Sequence, residues 1–238
     1  MTSESTSPLH GLRVALTGGT SGLGLALVEQ LRARGAAVAF VARHEPRIRE
    51  VADRYPSTHG IRGDVSRKED IYPIAMQITG MLGGLDVLIN NASSLGPVPL
   101  APLADTECEE LEQALATNLV GPFRLTRALL GALGASARQR GQALVINIIS
   151  DAAVTPYAGW GAYGASKAAL LHLSRIWDEE LAPQGIRIKA VDPGDMDTPL
   201  HALAVPAADP ATLKSPAAAA LEIIGAIEAF ASRRLVAA

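Results

Sequence analysis

The sequence predicts a doubly wound α/β domain, a parallel sheet held between two helical layers. Three observations carry this expectation: short runs that are apolar throughout recur along the chain, they alternate with longer segments of helical period, and no linker divides the 238 residues. A strand apolar on both faces must be covered on both faces, which requires parallel strands joined by helical crossovers. Ligands of such sheets bind outside the carboxyl ends of the strands. The expected organisation is a disordered polar tail over residues 1–10, then one three-layer α/β/α sandwich over residues 11–238.

The first strand is read at 12–17, ending in glycines. Leu23, Leu27 and Leu31 recur at i, i+4 and i+8, which predicts a helix over 23–34 stopped by Gly35. Residues 37–42 form a continuous apolar strand. Weaker repeats follow: a helix near 46–54, a strand near 58–62, a helix near 66–82 and a strand at 86–89. Residues 106–133 read as one long helix, bent or repacked at Gly121 and Pro122. A buried strand at 143–149, a helix at 162–181 ended by Pro183 and Gly185, and a strand at 186–191 complete the alternation. Residues 201–215, rich in Ala and Pro without clear period, read as a mobile loop or short helices around a substrate loop at 195–215.

Composition narrows the class. Apolar residues make up 48% and charged residues 19%, an ordinary globular balance, and such a chain can bury a core without metals or disulfides. The formal charge is −3 with scattered basic residues, so no footprint for nucleic acid or anionic lipid is expected. The single cysteine, Cys108, excludes an intramolecular disulfide and fits a reducing compartment. The first eight residues lack the apolar core of a signal peptide, and no run approaches about 18 apolar residues. The expectation is a cytoplasmic protein with no membrane partner.

The loop Thr17-Gly18-Gly19-Thr20-Ser21-Gly22-Leu23-Gly24 joins the first strand to the first helix. Glycines there permit a tight turn and close approach of backbone N–H groups to a pyrophosphate, at a helix end that favours anions. By itself the loop equally describes a plain glycine-rich turn; its place in a strand–loop–helix–strand unit strengthens the cofactor reading. The second strand ends Val41-Ala42-Arg43-His44. An acid at that tip would bind a ribose diol; Arg43 stands there instead and suits the 2′-phosphate of NADP, although a solvated loop arginine would read the same.

Tyr163 and Lys167, at i and i+4, share one helical face. A phenol ionises at about 10, and a nearby cation stabilises its phenolate, bringing it toward the pH range where proton transfer is efficient. Taken alone, the pair also describes an exposed helical pair. Ser150 alters the balance, because it ends a strand at the ligand-binding edge, 13 positions before Tyr163. Asn118 adds to it, as a polar residue inside an apolar helix, although each could serve only a local capping or bending role.

Thr17–Gly24 with Asn90-Asn91-Ala92, Asn118, Ser150, Tyr163-x-x-x-Lys167 and Pro193-Gly194…Thr198 together resemble the short-chain dehydrogenase/reductase family, over about residues 11–200. The resemblance implies a Rossmann-type fold and an NADP-dependent oxidoreductase of the carbonyl reductase or alcohol dehydrogenase type. Tyr163 would be its general acid–base, with Ser150 polarising the carbonyl. Lys167 would bind the nicotinamide ribose and lower the tyrosine pKa, and Asn118 would hold a proton-relaying water. Cofactor contacts are implied at Gly18, Thr20, Ser21, Gly22, Leu23, Gly24, Arg43, Asp64, Val65, Asn91, Ala92, Tyr163, Lys167, Pro193, Gly194, Met196 and Thr198. Three features depart from the family pattern: Ser93 replaces the usual glycine, Asp192 replaces an asparagine, and a glycine-rich tail after the last strand is missing. The missing tail puts tail-mediated tetramer assembly in doubt and leaves a homodimer through the two long helices.

The expected substrate is a small neutral ketone, aldehyde, diketone or alcohol, because the residues expected to wall its pocket are mainly apolar: Ala152, Ala153, Val154, Tyr157, Trp160, residues 95–97 and residues 196–203. A catalytically silent NADP-binding sensor or scaffold is the alternative, disfavoured by the presence of both Tyr163 and Lys167. No serine has the Gly-x-Ser-x-Gly setting of a hydrolase elbow, and neither a His-Glu-x-x-His zinc motif nor a Gly-Lys-Ser/Thr phosphate loop occurs, so no metal is expected.

Overall fold

Six strands form one parallel sheet in the order β3-β2-β1-β4-β5-β6. The computed structural model describes residues 7–236, with side chains through residue 232. The strands are β1 (Arg13–Thr17), β2 (Ala37–Ala42), β3 (Thr58–Arg62), β4 (Val87–Asn90), β5 (Ala143–Ile148) and β6 (Ile186–Val191). Helices α1 (Gly22–Ala33), α2 (Glu45–Arg54), α3 (Lys68–Leu82), α4 (Cys108–Leu115), α5 (Gly121–Arg140), α6 (Gly161–Leu181), α7 (Pro199–Ala204) and α8 (Pro216–Val236) connect or follow them.

Period-2 alternation splits each strand between two cores. Val14, Leu16, Val38 and Phe40 face Leu27 and Leu31 of α1 and Ile223 and Ile227 of α8. Their neighbours Ala15, Ala39 and Val41 face Ile74 and Ile78 of α3, with Leu125 and Leu129 of α5 in the same layer. This explains why β1, β2, β4 and β5 read as continuous apolar runs: both faces are covered. Between β1 and β4 the strand order reverses, and the crevice above that point is where this architecture binds ligands.

Several expectations need correction. Residues 1–6 of the expected tail lie outside the described residues, but the part from Ser7 is folded, because Leu9 is fully buried in the first core. The long helix expected over 106–133 is two helices separated by a π-turn at Ala116–Val120, and α5 continues to Arg140. Pro122 sits in the first turn of α5, where a missing N–H costs little. Helix α3 begins at Lys68 rather than Ser66, because Asp64 Oδ1 accepts both the backbone N–H and the hydroxyl of Ser66 in a turn. The segment after β6 contains α7 and a short turn, tied back by a bridge between Met196 and Lys214. Helix α8, which has no forecast in the alternation above, covers α1 with Ala219, Ala220, Ile223 and Ile227.

Candidate active site

A cavity of about 740 Å³ opens at the carboxyl ends of the strands. Its floor begins at the glycine loop. Gly18 adopts φ +73°, and a Cβ there would press on Asn91 Nδ2; a Cβ on Gly24 would collide with the Gly18 carbonyl. The loop is therefore built only for glycine at these positions. Helix α1 starts behind it without a side-chain cap and without an acid in its first turn, so its N–H groups and dipole remain available to an anion. Thr17 Oγ1 accepts the backbone N–H groups of Asn91 and Ala92 at 3.0 and 2.9 Å, and Asn91 Nδ2 donates to Thr17 O at 2.9 Å. These bonds join the ends of β1 and β4 across the point of strand reversal.

At the far end of the cavity lie Arg43, His44 and Arg47, facing Asp64 and Val65. The Arg43 side chain is 76% exposed and reaches Asp64 only at 3.9 Å, so its guanidinium is available to a ligand phosphate. The glycine cradle, the uncapped helix and this guanidinium together fit a phosphorylated dinucleotide.

Ser150, Tyr163 and Lys167 converge at the other end. Ser150 follows β5 and caps the short turn after it, accepting from Ala152 N at 3.2 Å and donating to Asp151 Oδ1 at 2.9 Å. Asp151 also accepts from the Tyr157 hydroxyl at 2.7 Å, which holds its carboxyl below the usual range. Helix α6 presents Tyr163 and Lys167 one turn apart, with the lysine Nζ 5.5 Å from the tyrosine ring centroid. Lys167 is wholly buried and donates to the Ile148 carbonyl at 2.8 Å; burial brings its pKa down to about 7.

Burial also moves Tyr163, in the direction opposite to the sequence expectation. Its phenol is pushed up to about 12, against a partial offset from the Ser150 and Ser93 hydroxyls, while Asp192 and Asp151 add to the rise. Burial is the largest influence on the phenol, and the same burial leaves Lys167 only partly charged near neutral pH.

Asn118 does not line the cavity. It lies in the π-turn, fully buried, with its amide engaged on both atoms. Oδ1 accepts from Ser94 N at 2.8 Å and from the Ser93 hydroxyl at 3.2 Å, while Nδ2 donates to Ser94 O at 2.7 Å and Ser166 Oγ at 2.8 Å. Ser166 in turn donates to the Tyr163 carbonyl at 2.6 Å. Asn118 thereby ties the segment after β4 to the helix that carries the tyrosine.

The residues expected to hold cofactor all line this cavity, from Gly18, Thr20, Ser21, Gly22, Leu23 and Gly24 to Asn91, Ala92, Pro193, Gly194, Met196 and Thr198. Of the expected substrate walls, Ala152, Tyr157, Trp160, Leu95 and Leu200 are in place, whereas Pro97, Ala153 and Val154 do not line the cavity, and Val154 is 76% exposed. Sequence reasoning missed Arg47 and Asp151 among the lining residues. Arg47 follows Arg43 by four positions, a spacing that could have flagged it.

Comparison with known proteins places the chain in a family. The model of the short chain dehydrogenase family matches residues 13–208. An uncharacterized short-chain type dehydrogenase/reductase of Sinorhizobium fredii is 32% identical over 193 residues, 81% of this chain. The chain spans 34% of that relative's length and 62% of a second's. Among solved structures, a 3-ketoacyl-(acyl-carrier-protein) reductase from Brucella melitensis complexed with NADH is 25% identical, with a TM-score of 0.83 over 91% of this chain and 90% of that one. A short chain dehydrogenase from Escherichia coli CFT073 complexed with NADPH is 27% identical, with a TM-score of 0.82 over 93% and 91%. By sequence and by fold, the chain belongs to the short-chain dehydrogenase family of oxidoreductases.

Proposed function

We propose that the protein is an NADP-dependent oxidoreductase that transfers a hydride between the nicotinamide and a carbonyl or secondary alcohol, with Tyr163 as general acid–base. One observation carries this reading: a single cavity joins the uncapped α1 terminus and Arg43 to Ser150, Tyr163 and Lys167. When bound, the nicotinamide supplies the hydride or receives it. The glycine-loop N–H groups take the pyrophosphate, and Arg43, with Arg47 beside it, takes the 2′-phosphate. Similar structures are complexed with either NADH or NADPH, so the preference for NADP rests on Arg43 and on the absence of an acid at the β2 tip.

In the reducing direction, the Ser150 hydroxyl holds the carbonyl oxygen while Tyr163 donates its proton to the developing alkoxide. Burial favours the protonated phenol, the form this direction requires. Lys167 binds the nicotinamide ribose and, beside the phenol, moderates the cost of ionising it. Asn118 holds the π-turn and α6 in register, a positioning task supported by its four hydrogen bonds.

The substrate end is walled by Leu95, Val98, Tyr157, Trp160 and Leu200, and it also carries the carboxylates Asp151, Asp192 and Asp195. Apolar walls with an acidic rim support a neutral ketone, aldehyde or diketone over an anionic substrate. A homodimer through the two long helices α5 and α6 is the assembly that the resemblance to the family suggests. No helix among the described residues is long and apolar enough to cross a membrane, and a cytoplasmic site of action fits the single cysteine.

The test is NADPH oxidation against a panel of neutral and anionic carbonyls, by the wild type and by Tyr163→Phe. The expected result is turnover of neutral ketones, reduced about 10²- to 10⁴-fold by the substitution, with NADPH binding retained. Undiminished turnover by Tyr163→Phe would remove the tyrosine from the mechanism.

A further inference from the structure

The hydrogen that Ser150 would offer a substrate carbonyl is already engaged. Its hydroxyl donates to Asp151 Oδ1 at 2.9 Å and accepts from Ala152 N at 3.2 Å. Asp151 is itself fixed on two sides. Its other carboxylate oxygen, Oδ2, accepts from the Tyr157 hydroxyl at 2.7 Å, and its backbone carbonyl accepts from the N–H groups of Val154 and Thr155, both at 2.8 Å. Ser150, Asp151, Tyr157 and Tyr163 all line the same cavity. The other two carboxylates at this end are placed differently. Asp192 accepts from Gly194 N at 2.9 Å within its own turn, and the Asp195 side chain is 76% exposed. A hydrogen bond to a carboxylate is charge-assisted and stronger than one between neutral groups. A ketone that takes the Ser150 hydrogen therefore leaves Asp151 Oδ1 short of a donor, and this loss counts against binding unless the substrate makes it good.

We propose that Asp151 is a specificity-determining residue that selects carbonyl substrates bearing a hydroxyl on the neighbouring carbon. The inference rests on the reading of Ser150 as the group that holds the carbonyl oxygen. Turned to the same side, the two oxygens of such an α-hydroxy ketone lie about 2.8 Å apart, the separation of two hydrogen-bonded oxygens. Ser150 Oγ and Asp151 Oδ1 are 2.9 Å apart, so the four oxygens match as two pairs. Ser150 turns its hydrogen to the substrate carbonyl, and the substrate hydroxyl donates to Asp151 Oδ1 in its place. The bond from Tyr157 keeps the Asp151 carboxyl below its usual range, so at neutral pH it only accepts. No proton leaves Ser150 or the substrate hydroxyl. Reduction still places the hydride on the carbonyl carbon and the Tyr163 proton on its oxygen. In the oxidising direction the same pairing takes a vicinal diol. A carboxylate in place of the hydroxyl meets like charge and is refused.

The experiment compares kcat/KM for two matched pairs, α-hydroxyacetophenone with acetophenone and hydroxyacetone with acetone. Each is measured with NADPH and with NADH, in the wild type, Asp151→Ala and Asp151→Asn. The wild type should favour the hydroxylated member of each pair by about 10- to 100-fold. That ratio should collapse toward unity in Asp151→Ala. Asp151→Asn, which keeps the shape and a weaker neutral acceptor, should fall between the two. A wild-type ratio near unity, or a preference that survives in Asp151→Ala, would overturn the proposal and leave the oxidoreductase reading intact. The same holds if none of the four ketones is reduced while other carbonyls are. If no carbonyl is reduced with either nucleotide, the reading on which the proposal rests falls, and the proposal falls with it.

Discussion

The two ends of the sheet each bury a charged side chain, and they treat it in opposite ways. At the amino end Asp86, just before β4, is wholly buried, yet it accepts from the Arg13 backbone at 2.9 Å, from two nitrogens of the Arg13 guanidinium at 2.9 and 3.1 Å, and from Ser136. Arg140 lies 3.5 Å away. Burial alone would disfavour the carboxylate, but these donors outweigh it and hold its pKa at about 2. At the carboxyl end Lys167 is equally buried, but among the described residues it meets only neutral groups, the Ile148 carbonyl and the Tyr163 ring, so burial wins. A buried charge with several matched donors helps hold a fold together, whereas one with only neutral partners costs stability and is available for other work.

The sharpest way to break this comparison is to remove each charge. Asp86→Ala leaves the Arg13 guanidinium facing a cavity without its partner, and unfolding in urea should show a loss of about 3–5 kcal/mol. Lys167→Met should do the reverse, gaining about 1–4 kcal/mol in the same measurement at neutral pH, while turnover falls. Equal losses from both substitutions would show that the two ends are not energetically distinct.

Proton linkage sharpens the contrast. The folded pKa of Asp86 lies below its unfolded value of 3.8, so its contribution is complete above that value and is lost as pH falls toward about 2. The folded pKa of Lys167, at about 7, lies below an unfolded value of 10.5. Between these values the unfolded chain binds more protons, so stability contributed by this group rises with pH through that window. Tyr163 has the opposite sign, with its folded value of about 12 above an unfolded 10.0, and costs stability as pH rises through that interval. The advantage of Lys167→Met over wild type should therefore shrink between pH 7 and pH 10, and an advantage constant with pH would contradict a buried neutral lysine.

The same contrast explains what was legible in the sequence. Gly18, Gly24 and Arg43 could be read because their tasks are local: a turn that excludes Cβ and the residue type at a strand tip. The Tyr163–Lys167 spacing fixed a shared helical face for the same reason. The direction of the tyrosine shift was not legible, since it depends on how deeply α6 is covered and on hydroxyls 13 and 70 positions away. Asn118 stood out as a polar residue in an apolar helix, but its bonds to Ser94 and Ser166 form only when α6 and the segment after β4 meet the π-turn. Helix α8 escaped because its alanine-rich start has little apolar contrast until α1 lies against it, and Leu9 escaped because one apolar residue in a polar run shows no period.

The proposed fit of the cavity to a 2′-phosphorylated nicotinamide dinucleotide can be read by fluorescence titration of the wild type and Arg43→Asp with NADPH and NADH. Saturable binding is expected with NADPH the tighter ligand, and a loss of about 10- to 100-fold for NADPH in Arg43→Asp, with NADH little changed. No saturable binding of either nucleotide to the wild type, or NADPH affinity that is indifferent to Arg43→Asp, would contradict it.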